Sequence, residues 1–344
     1  MKNILDMSYE ELKKEVTEVL GWERYRTDQI LDWIYDKKVT EFEKMTNLSK
    51  EQRKILSENY TIDFPELVEK KVSKIDGTTK YLWKLKDGNT IESVLLFHPN
   101  RVTACISTQV GCPVKCIFCA TGMSGFKRNL SAGEIVSQVL AMEKESGIRV
   151  GNVVYMGMGE PFLNYDEVVK SIRMLNHPKM KGIGIRRITV STVGIPEKIL
   201  KFADEGLDVV LALSLHAPSN FKRDQLVPLN RKYSIEEILN AVKAYQMKTG
   251  RRVTIEYVMI REVNDYPSDA EKLAEILKDL KVFVNLIPIN PVNRTLRRPS
   301  KERLLMFKRI LSKKGIEAEI RSEKGTDIEA ACGQLRMRKL GLRA

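Results

Sequence analysis

From residue 102 onward, the sequence alternates between short apolar segments rich in β-branched residues and longer segments with helical periodicity. Strands that alternate with helices predict a parallel sheet with helical crossovers, either an open doubly wound sheet or a barrel. The predicted strands are RVTACIST, GNVVYMGM, RRITVST, VVLALSLH, RVTIEYVMI, VFVNLIPIN and EAEIRSE. Most of the chain is therefore predicted to form an α/β domain.

The predicted helices carry recognisable start and stop signals. Several begin with a serine followed three residues later by a glutamate, the pattern of a capping box. These pairs are Ser8 with Glu11, Ser131 with Glu134, Ser234 with Glu237 and Ser268 with Glu271. Gly147 and Gly315 lie where helices are predicted to end, because glycine adopts the left-handed conformation that closes a helix.

The part of the chain before the α/β domain has a different character. Residues 1 to about 60 contain only helical signals. Residues 70–97 alternate polar and apolar side chains around two Asp-Gly pairs, which are typical of hairpin turns. We expect a helical unit over 1–65, a β-hairpin extension over 66–98, the α/β core over 99–322 and a C-terminal tail over 323–344.

Charge and hydropathy narrow the class of protein. The 344 residues include 58 Lys and Arg against 45 Asp and Glu, a formal charge of +13, which favours a polyanionic partner such as nucleic acid. A charge-rich soluble surface would give the same balance. The first residues lack the pattern of a secretory signal, and no apolar run approaches the roughly 18 residues of a membrane span. We expect a cytoplasmic protein, in which clustered cysteines are ligands or catalysts rather than structural disulfides.

Three of the five cysteines, Cys112, Cys116 and Cys119, lie close together in GCPVKCIFCATG. Thiolates bind zinc or iron–sulfur clusters. A structural zinc site needs four ligands, and the three histidines of this chain lie in no paired arrangement. A cubane iron–sulfur cluster held by three thiolates leaves one iron without a protein ligand, where a substrate or cofactor can bind.

Further polar residues end other predicted strands. They are Gly157 to Pro161 on the second strand, Ser191 on the third, Ser214 and His216 on the fourth, and Asn290 on the sixth. Taken singly, each is as well explained by a strand-end hydrogen bond. In a (β/α) barrel, however, the carboxyl ends of the strands form one rim, where active sites are built. With the cysteine loop, these residues predict one cavity at that rim.

The C-x₃-C-x₂-C spacing after the first predicted strand resembles the signature of the radical S-adenosylmethionine (SAM) superfamily. The resemblance implies a partial (β/α)₆-type TIM-like barrel and a [4Fe–4S] cluster on the three cysteines, with SAM bound to the open iron. An electron from the cluster would cleave SAM to a 5′-deoxyadenosyl radical. The positions that match SAM contacts of the superfamily are Gly159, Glu160, Ser191, Ser214, Leu215, His216 and Asn290.

Motifs along essentially the whole chain resemble a narrower family, the bacterial dual-specificity RNA methyltransferases. They are QVGCPVKCIFCATG, NVVYMGMGEPFLN, STVGI, LALSLHAP, PLN, IPINP, GTDIEAACGQL and the helical QILDWIYDKKVTEFEKMTNLSKE. The resemblance implies methylation of C2 of adenine 2503 in 23S rRNA and of adenine 37 in tRNAs. It also implies two SAM molecules per turnover, one as methyl donor and one as radical source, and a low-potential electron donor such as flavodoxin or ferredoxin.

Two rival functions remain at this point. The first is that of the related methyltransferase acting at C8 of the same rRNA adenine, which shares both cysteines outside the cluster motif. Pro161 and the WIYDKKVTEFEKMTNLSK stretch are more similar to the C2 enzymes. The second is a non-catalytic RNA-binding protein stabilised by zinc.

The remaining two cysteines, Cys105 and Cys332, would by themselves be interpreted as small buried apolar residues. Adenine C2 is electron-poor and cannot attack the SAM methyl group as an ordinary nucleophile, whereas a thiolate can take that methyl first. The family resemblance implies that Cys332 carries the methyl group and that Cys105 resolves the RNA adduct through a transient disulfide. It also implies that Glu92, otherwise an ordinary solvated strand residue, accepts the C2 proton.

Three basic segments are candidates for RNA contact, in which charge holds phosphates while RNA shape and an unstacked adenine give selectivity. Each residue alone is as well explained as a solvated surface charge. The candidates are Lys179, Lys181, Arg186 and Arg187, then Arg294, Arg297, Arg298, Lys301 and Arg303, then Arg336, Arg338, Lys339 and Arg343.

Overall fold

The structure is a computed structural model that describes residues 1–290 and 295–336. Its strands are β1 (Lys2–Asn3), β2 (Tyr60–Thr61), β3 (Glu66–Val72), β4 (Thr79–Lys84), β5 (Thr90–His98), β6 (Arg101–Cys105), β7 (Gln109–Gly111), β8 (Phe126–Asn129), β9 (Asn152–Tyr155), β10 (Ile188–Thr192), β11 (Val210–Ser214), β12 (Val253–Met259), β13 (Val282–Pro288) and β14 (Ala318–Ile320).

Along the chain, the helices fall between these strands. They are α1 (Tyr9–Lys14), α2 (Tyr25–Leu31), α3 (Lys50–Asn59), α4 (Ala120–Met123), α5 (Ala132–Ser146), α6 (Tyr165–Asn176), α7 (Pro196–Asp204), α8 (Asn220–Leu226), α9 (Ile235–Thr249), α10 (Pro267–Leu277) and α11 (Lys301–Lys313). None of the described helices combines the length and apolar character needed to cross a membrane.

One mixed sheet dominates the described residues, with its ten strands in the order β14-β13-β12-β11-β10-β9-β6-β5-β4-β3. The strands from β14 to β6 pair in parallel, while β3, β4 and β5 continue the sheet as antiparallel hairpins. Side chains from β5, β6 and β9 to β14 line one internal cavity of about 550 Å³, called the lumen below. The prediction of a barrel-like parallel sheet with an antiparallel extension is confirmed, and the seventh parallel strand, β14, forms its edge.

Most local signals in the sequence are also confirmed. Each of the predicted strands is present, and the capping boxes of Ser8, Ser131 and Ser234 all form. The predicted start of α10 at Ser268 and Glu271 is wrong. That helix begins at Pro267, and the amide of Tyr266 donates to the Asp269 carboxylate at 3.2 Å. Proline has no N–H and a fixed φ, so it suits the first helical position and places the helix start earlier than the serine does.

The N-terminal helices pack directly against the barrel helices. The Gly133 amide at the start of α5 donates to Asp6 Oδ1 at 3.0 Å, and Lys38 forms an ion pair with the buried Glu143 at 3.2 Å. A continuous cluster of buried apolar side chains extends from Leu5 in the N-terminal helices to Leu311 in α11. The helical unit and the barrel therefore share a core.

Candidate active site

The carboxyl ends of the parallel strands enclose a cavity of about 150 Å³, called the rim cavity below. It brings together the clustered cysteines and almost all of the predicted SAM contacts. Its lining includes Cys112, Cys116, Cys119, Gly159, Glu160, Ser191, Ser214, His216, Asn290 and Cys332. Leu215 does not line it; this residue is fully buried, and its carbonyl accepts a hydrogen bond from Arg223 Nε at 2.9 Å.

The three cysteines lie on the loop between β7 and α4. At the start of the loop, Gly111 has φ 80°, and a Cβ there would lie 2.0 Å from the Gly125 carbonyl oxygen, so no other residue fits. The Cys112 amide donates to the same carbonyl at 2.8 Å, and the Ile117 amide donates to the Leu226 carbonyl at 3.1 Å. The loop is thus fixed from both sides.

The chemistry of these thiols fits a cluster better than a single ion. Burial raises the pKa of Cys112 to about 12 and raises that of Cys116 as well, so the thiolates are costly without a cation bound to them. Among the described residues, no three His, Cys, Asp or Glu side chains are placed to hold one metal ion. A cubane cluster instead binds each thiolate through a different iron, and therefore accepts a wider spacing.

Glu160 is a buried carboxylate in the loop that follows β9 and lines the rim cavity. Its Oε1 accepts from the Phe162 amide at 3.0 Å and its Oε2 from the Val193 amide at 2.9 Å. Burial raises its pKa to about 6, although these hydrogen bonds oppose the shift. With the side-chain hydrogen bond of Thr192 counted, three donors use the carboxylate, and its remaining lone pair can still accept a hydrogen bond from a ligand ammonium group. The preceding Gly159 has φ 109°, and a Cβ there would lie 2.6 Å from Thr108 Oγ1.

The third and fourth parallel strands place polar side chains beside each other. The Ser191 and Ser214 hydroxyls are 3.0 Å apart at the ends of β10 and β11. His216 has φ 61°, an uncommon conformation for a residue with a side chain, and its Nδ1 accepts from the Val258 amide at 3.0 Å. Burial and Arg223 lower the His216 pKa to about 3, so this imidazole is neutral and carries its proton on Nε2.

Arg223 is a buried arginine that the sequence analysis did not identify. It is 1% exposed, and its guanidinium donates to the carbonyls of Val193, Ser214 and Leu215 and to Asn230 Oδ1. The Val193 carbonyl lies two residues after Ser191, and the Ser214 and Leu215 carbonyls lie at the end of β11. The Arg223 side chain therefore fixes two walls of the rim cavity. The only signal in the sequence was an arginine within the short helix α8, whose burial could not be read from its neighbours.

Cys332 lies at the junction of the two cavities. It lines both the rim cavity and the lumen, and Cys105 lines the lumen. Glu256, Asn290 and Arg321 also line both, and Arg321 is 3.9 Å from Glu256. The negative charge of a Cys332 thiolate, and then that of Glu256, raises the pKa of the Arg321 guanidinium. Sequence analysis missed Arg321 and Glu256. Neither residue stands out within its own segment, and the two meet at this junction only through the tertiary fold.

Within the described residues, four hydrogen bonds join the C-terminal segment 329–336, which carries Cys332, to residues 1–324, and each uses a main-chain atom of this segment. The Glu329 carbonyl accepts from Lys80 Nζ at 2.9 Å, and the Gly333 carbonyl accepts from the Ala120 amide at 2.7 Å. The other two bonds join the Leu335 carbonyl to Thr121 Oγ1 at 2.5 Å and the Arg336 amide to Glu92 Oε2 at 2.9 Å.

Glu92 is fully buried rather than solvated. Along β5 it shares a face with Val94, Leu96 and His98, which line the lumen, because alternate residues of a strand point the same way. The Arg336 amide covers the carboxylate. Glu92 therefore points toward the lumen but lies beneath the C-terminal segment.

Many of the basic residues singled out in the sequence are engaged in ion pairs. Such pairs are Lys179 with Asp28, Lys181 with Glu143, Arg186 with Asp208, Arg298 with Glu323, Arg303 with Asp265 and Arg336 with Glu329. Arg294, Arg338, Lys339 and Arg343 lie outside the described residues.

A parallel sheet with a three-cysteine loop after its first parallel strand and a polar rim cavity beside that loop defines a radical SAM enzyme. In agreement, residues 106–279 match the Radical SAM superfamily. Residues 2–62 match the Ribosomal RNA large subunit methyltransferase N-terminal domain.

Full-length relatives give the narrower family. The chain is 74% identical over 339 residues to the probable dual-specificity RNA methyltransferase RlmN of Thermotoga neapolitana, with 98% of each chain covered. It is 72% identical over 344 residues to the protein of the same description from Thermotoga maritima, with 100% of each covered. The crystal structure of a radical SAM methyltransferase from Sphaerobacter thermophilus matches with a TM-score of 0.93 and 45% identity, over 98% of this chain and 99% of that one. The chain belongs to the RlmN family of dual-specificity RNA methyltransferases, whose cofactors are a [4Fe–4S] cluster and SAM.

Proposed function

We propose that this chain methylates C2 of adenine 2503 in 23S rRNA and C2 of adenine 37 in tRNAs, through a methylated Cys332 and a covalent protein–RNA intermediate. The observation that carries the proposal is the position of Cys332, which lines both the rim cavity and the lumen. A thiol at this junction can receive a methyl group on one side and deliver it on the other. We further propose that the enzyme works in the cytoplasm and takes electrons from a flavodoxin or ferredoxin of low potential.

The rim cavity is proposed to hold the cofactors. Cys112, Cys116 and Cys119 would hold the cluster. The cluster and SAM, when bound, supply a methyl group and a carbon-centred radical able to remove a hydrogen atom. The proposed SAM contacts are Gly159, Glu160, Ser191, Ser214, Leu215, His216 and Asn290, of which Leu215 has only main-chain atoms to offer because its side chain points into the core.

Cys332 is the proposed nucleophile. Its thiolate attacks the methyl group of a sulfonium, the carbon–sulfur bond of the sulfonium breaks to release a thioether, and Cys332 itself becomes a neutral thioether. The Arg321 guanidinium lines the same junction. Once a hydrogen atom has been removed from that methyl group, its carbon can add to C2 of the adenine. Protein and RNA are then joined through sulfur and a methylene group.

Cys105 is the proposed resolving thiol. Burial raises its pKa to about 12, so it remains protonated and unreactive until a base is close. The adduct is a radical, so it must lose both its C2 proton and one electron to regain an aromatic ring; the oxidised cluster, when bound, would supply the one-electron acceptor. The Cys105 thiol then gives up its proton, and its sulfur attacks the Cys332 sulfur. A disulfide forms, the sulfur–methylene bond breaks, and its electron pair and a proton complete the methyl group on adenine. A thiol reductant then reopens the disulfide.

Glu92 is the proposed acceptor of the C2 proton. This role is supported by the direction of the Glu92 side chain, since Glu92 lies on the face of β5 that lines the lumen. In the structure its carboxylate accepts from the Arg336 amide. Proton transfer from adenine therefore requires the C-terminal segment to uncover this carboxylate.

Nucleoside analysis tests the proposed function. Purified holoenzyme is incubated with SAM, a reductant and a fragment of 23S rRNA, and the digested RNA is analysed by mass spectrometry against synthetic standards. We expect 2-methyladenosine, and none from Cys332→Ala. A product that coelutes with 8-methyladenosine would instead establish the C8 reaction. Zinc without sulfide in anaerobically purified protein would remove the enzyme interpretation altogether.

A further inference from the structure

A second opening lies at the amino ends of the parallel strands, away from the cysteine loop. It is a groove of about 860 Å³, lined by the β5–β6 hairpin and by the loops that precede β9 and β10. Arg101 is the first residue of β6, Asn152 is the first of β9, and Arg187 directly precedes β10. Three segments that are distant in sequence therefore meet at this face.

The groove is basic. Among the described residues that line it, none is Asp or Glu, and the ionisable ones are His98, Arg101, Arg149, Lys181 and Arg187. Lys181 is neutralised by its ion pair with Glu143 at 2.9 Å. Burial lowers the pKa of His98, and the charge of Arg101 lowers it further. The free positive charge of the groove thus belongs to its arginines.

Within residues 1–290 and 295–336, no side chain pairs with these arginines. Arg101, Arg149 and Arg187 are exposed, and no ion pair is recorded for them within the described part of the chain. Elsewhere on the surface, some described arginines are paired, for example Arg173 with Glu205 and Arg252 with Glu317, while others, such as Arg231 and Arg309, stand singly. The groove differs in gathering three such arginines in one place without an acidic residue. A guanidinium binds a phosphate through two parallel hydrogen bonds, so three unpaired guanidiniums in an acid-free groove match a phosphate backbone.

The groove connects to the lumen. Four residues, His98, Arg101, Asn152 and Arg187, line both spaces. The lumen volume of about 550 Å³ falls within the usual range for small-molecule pockets, roughly 300–1,000 Å³. Its far end contains Cys105 and Cys332. A base that entered the lumen from the groove side would reach the two cysteines without crossing the rim cavity.

We propose that RNA docks on this face, with its phosphates on Arg101, Arg149 and Arg187 and its unstacked adenine inserted through the lumen toward Cys332. The inference rests on the proposed function, because it takes that adenine as the substrate. Phosphate contacts then fix the position of the RNA, and the lumen admits one base. SAM and RNA reach Cys332 from opposite ends, so neither has to leave before the other binds.

Salt-dependent binding tests the docking surface. The groove variant is Arg101→Gln/Arg149→Gln/Arg187→Gln. The control, Lys243→Gln/Lys278→Gln/Arg309→Gln, removes the same charge from exposed positions on α9, at the end of α10 and on α11. Binding of a fluorescent 23S rRNA fragment to full-length holoenzyme is measured by anisotropy between low and physiological salt. We expect the groove variant to bind at least about tenfold more weakly and to lose about 2 to 3 from the slope of log Kd against log salt concentration. Equal losses in both variants, or none in either, would overturn the proposal.

Transfer of the methyl group from SAM to Cys332, measured by mass spectrometry without RNA, separates this inference from the proposed function. We expect the groove variant to accept the methyl group as the unmodified chain does. Absence of methyl acceptance in the unmodified chain would refute the proposed function itself. A groove variant that accepts methyl and also binds RNA normally would refute only the docking surface.

The route through the lumen has its own test. Asn152→Trp narrows the passage between groove and lumen, whereas Asn152→Ala leaves it open. We expect the tryptophan variant to keep its RNA affinity and its methyl acceptance on Cys332, but to form no protein–RNA adduct. Normal adduct formation by the tryptophan variant would show that the base arrives by another path.

Discussion

Lys80 and Glu92 form an ion pair inside the protein, with 3.7 Å between Nζ and Oε1 and side chains that are 3% and 0% exposed. The two residues lie on the neighbouring strands β4 and β5 and belong to one face of the antiparallel extension. Each also binds the C-terminal segment, Lys80 at the Glu329 carbonyl and Glu92 at the Arg336 amide. The pair thus connects the extension to both ends of the segment that carries Cys332.

Removing the Lys80 charge should destabilise the protein strongly. In Lys80→Met the Glu92 carboxylate loses a buried cation, and breaking a buried ion pair on one side costs about 3–5 kcal/mol. The matched control is Lys84→Met on the same strand, where the lysine is exposed and paired with Glu66; we expect at most about 1 kcal/mol. Urea unfolding measures both.

A double variant separates the effect of an unpaired buried charge on stability from the effect of the lost hydrogen bond to the C-terminal segment. Lys80→Met/Glu92→Gln leaves no charge at this buried pair, so most of the stability lost in Lys80→Met should return. The hydrogen bond to the Glu329 carbonyl is still absent in the double variant. Hydrogen exchange of the peptide that contains Cys332 should then stay faster than in the unmodified chain. Exchange as slow as in the unmodified chain would show that Lys80 does not hold this segment.

The two cysteines of the proposed reaction should fail at different steps. Cys332→Ala should neither accept methyl from SAM nor form an adduct with RNA. Cys105→Ala should accept the methyl group, add to adenine and then remain attached, because no thiol is present to attack the Cys332 sulfur. A denaturing gel after incubation with SAM, reductant and RNA displays the crosslink. A crosslink from Cys332→Ala but none from Cys105→Ala would reverse the two assignments.

The assignment of Cys116 as a cluster ligand gives a further prediction. Cys116→Ala removes one of three iron ligands, so we expect loss of nearly all bound iron and sulfide and of SAM cleavage, with circular dichroism unchanged. Cys105→Ala removes an equally buried thiol that faces the lumen, and should retain the cluster. Anaerobic metal and sulfide analysis compares them, and full iron content in Cys116→Ala would contradict the ligand assignment.

Arg223 should prove important for both stability and SAM binding. Arg223→Met leaves buried carbonyls of Val193 and Leu215 without donors, at a cost of about 1–3 kcal/mol each. Because these carbonyls fix two walls of the rim cavity, affinity for SAM should also fall, by about tenfold for a loss of roughly 1.4 kcal/mol. Arg231→Met, at an exposed position nearby, should change stability by about 0.5 kcal/mol or less. Calorimetric titration with SAM in which both variants bind alike would argue against this role of Arg223.

Local patterns were sufficient to predict the strands and most helix starts. Glu134 and Glu237 lie three residues after their capping serines, so the bonds that start α5 and α9 depend on neighbours in sequence. The error at Ser268 has the same origin, since Pro267 supplies a competing local signal that the capping-box pattern ignores. The cysteine loop could likewise be recognised because its three thiols lie within eight positions.

Residues that meet only through the tertiary fold were not predictable in this way. Lys80 is followed by apolar residues of an ordinary hairpin, and its burial depends on the Glu329 carbonyl, 249 positions away. The expectation that Glu92 is solvated or catalytic did not include its contact with Arg336. Basic sequence runs pointed to Arg298, which is paired with Glu323, whereas the unpaired Arg101 and Arg149 stand in segments with little local excess of charge.

Among the described residues, the hydrogen bonds that join 329–336 to residues 1–324 all end on main-chain atoms of this segment, at positions 329, 333, 335 and 336. The bonds use no side chain at these four positions, although Gly333 has φ 82° and favours glycine, and they are sensitive to the number of residues between them. Exchange of the exposed side chains of Glu329 and Arg336 would therefore leave the segment on its anchors. A one-residue insertion or deletion between Glu329 and Cys332 would instead displace the sulfur by about one Cα spacing, roughly 3.8 Å, and take it out of the junction.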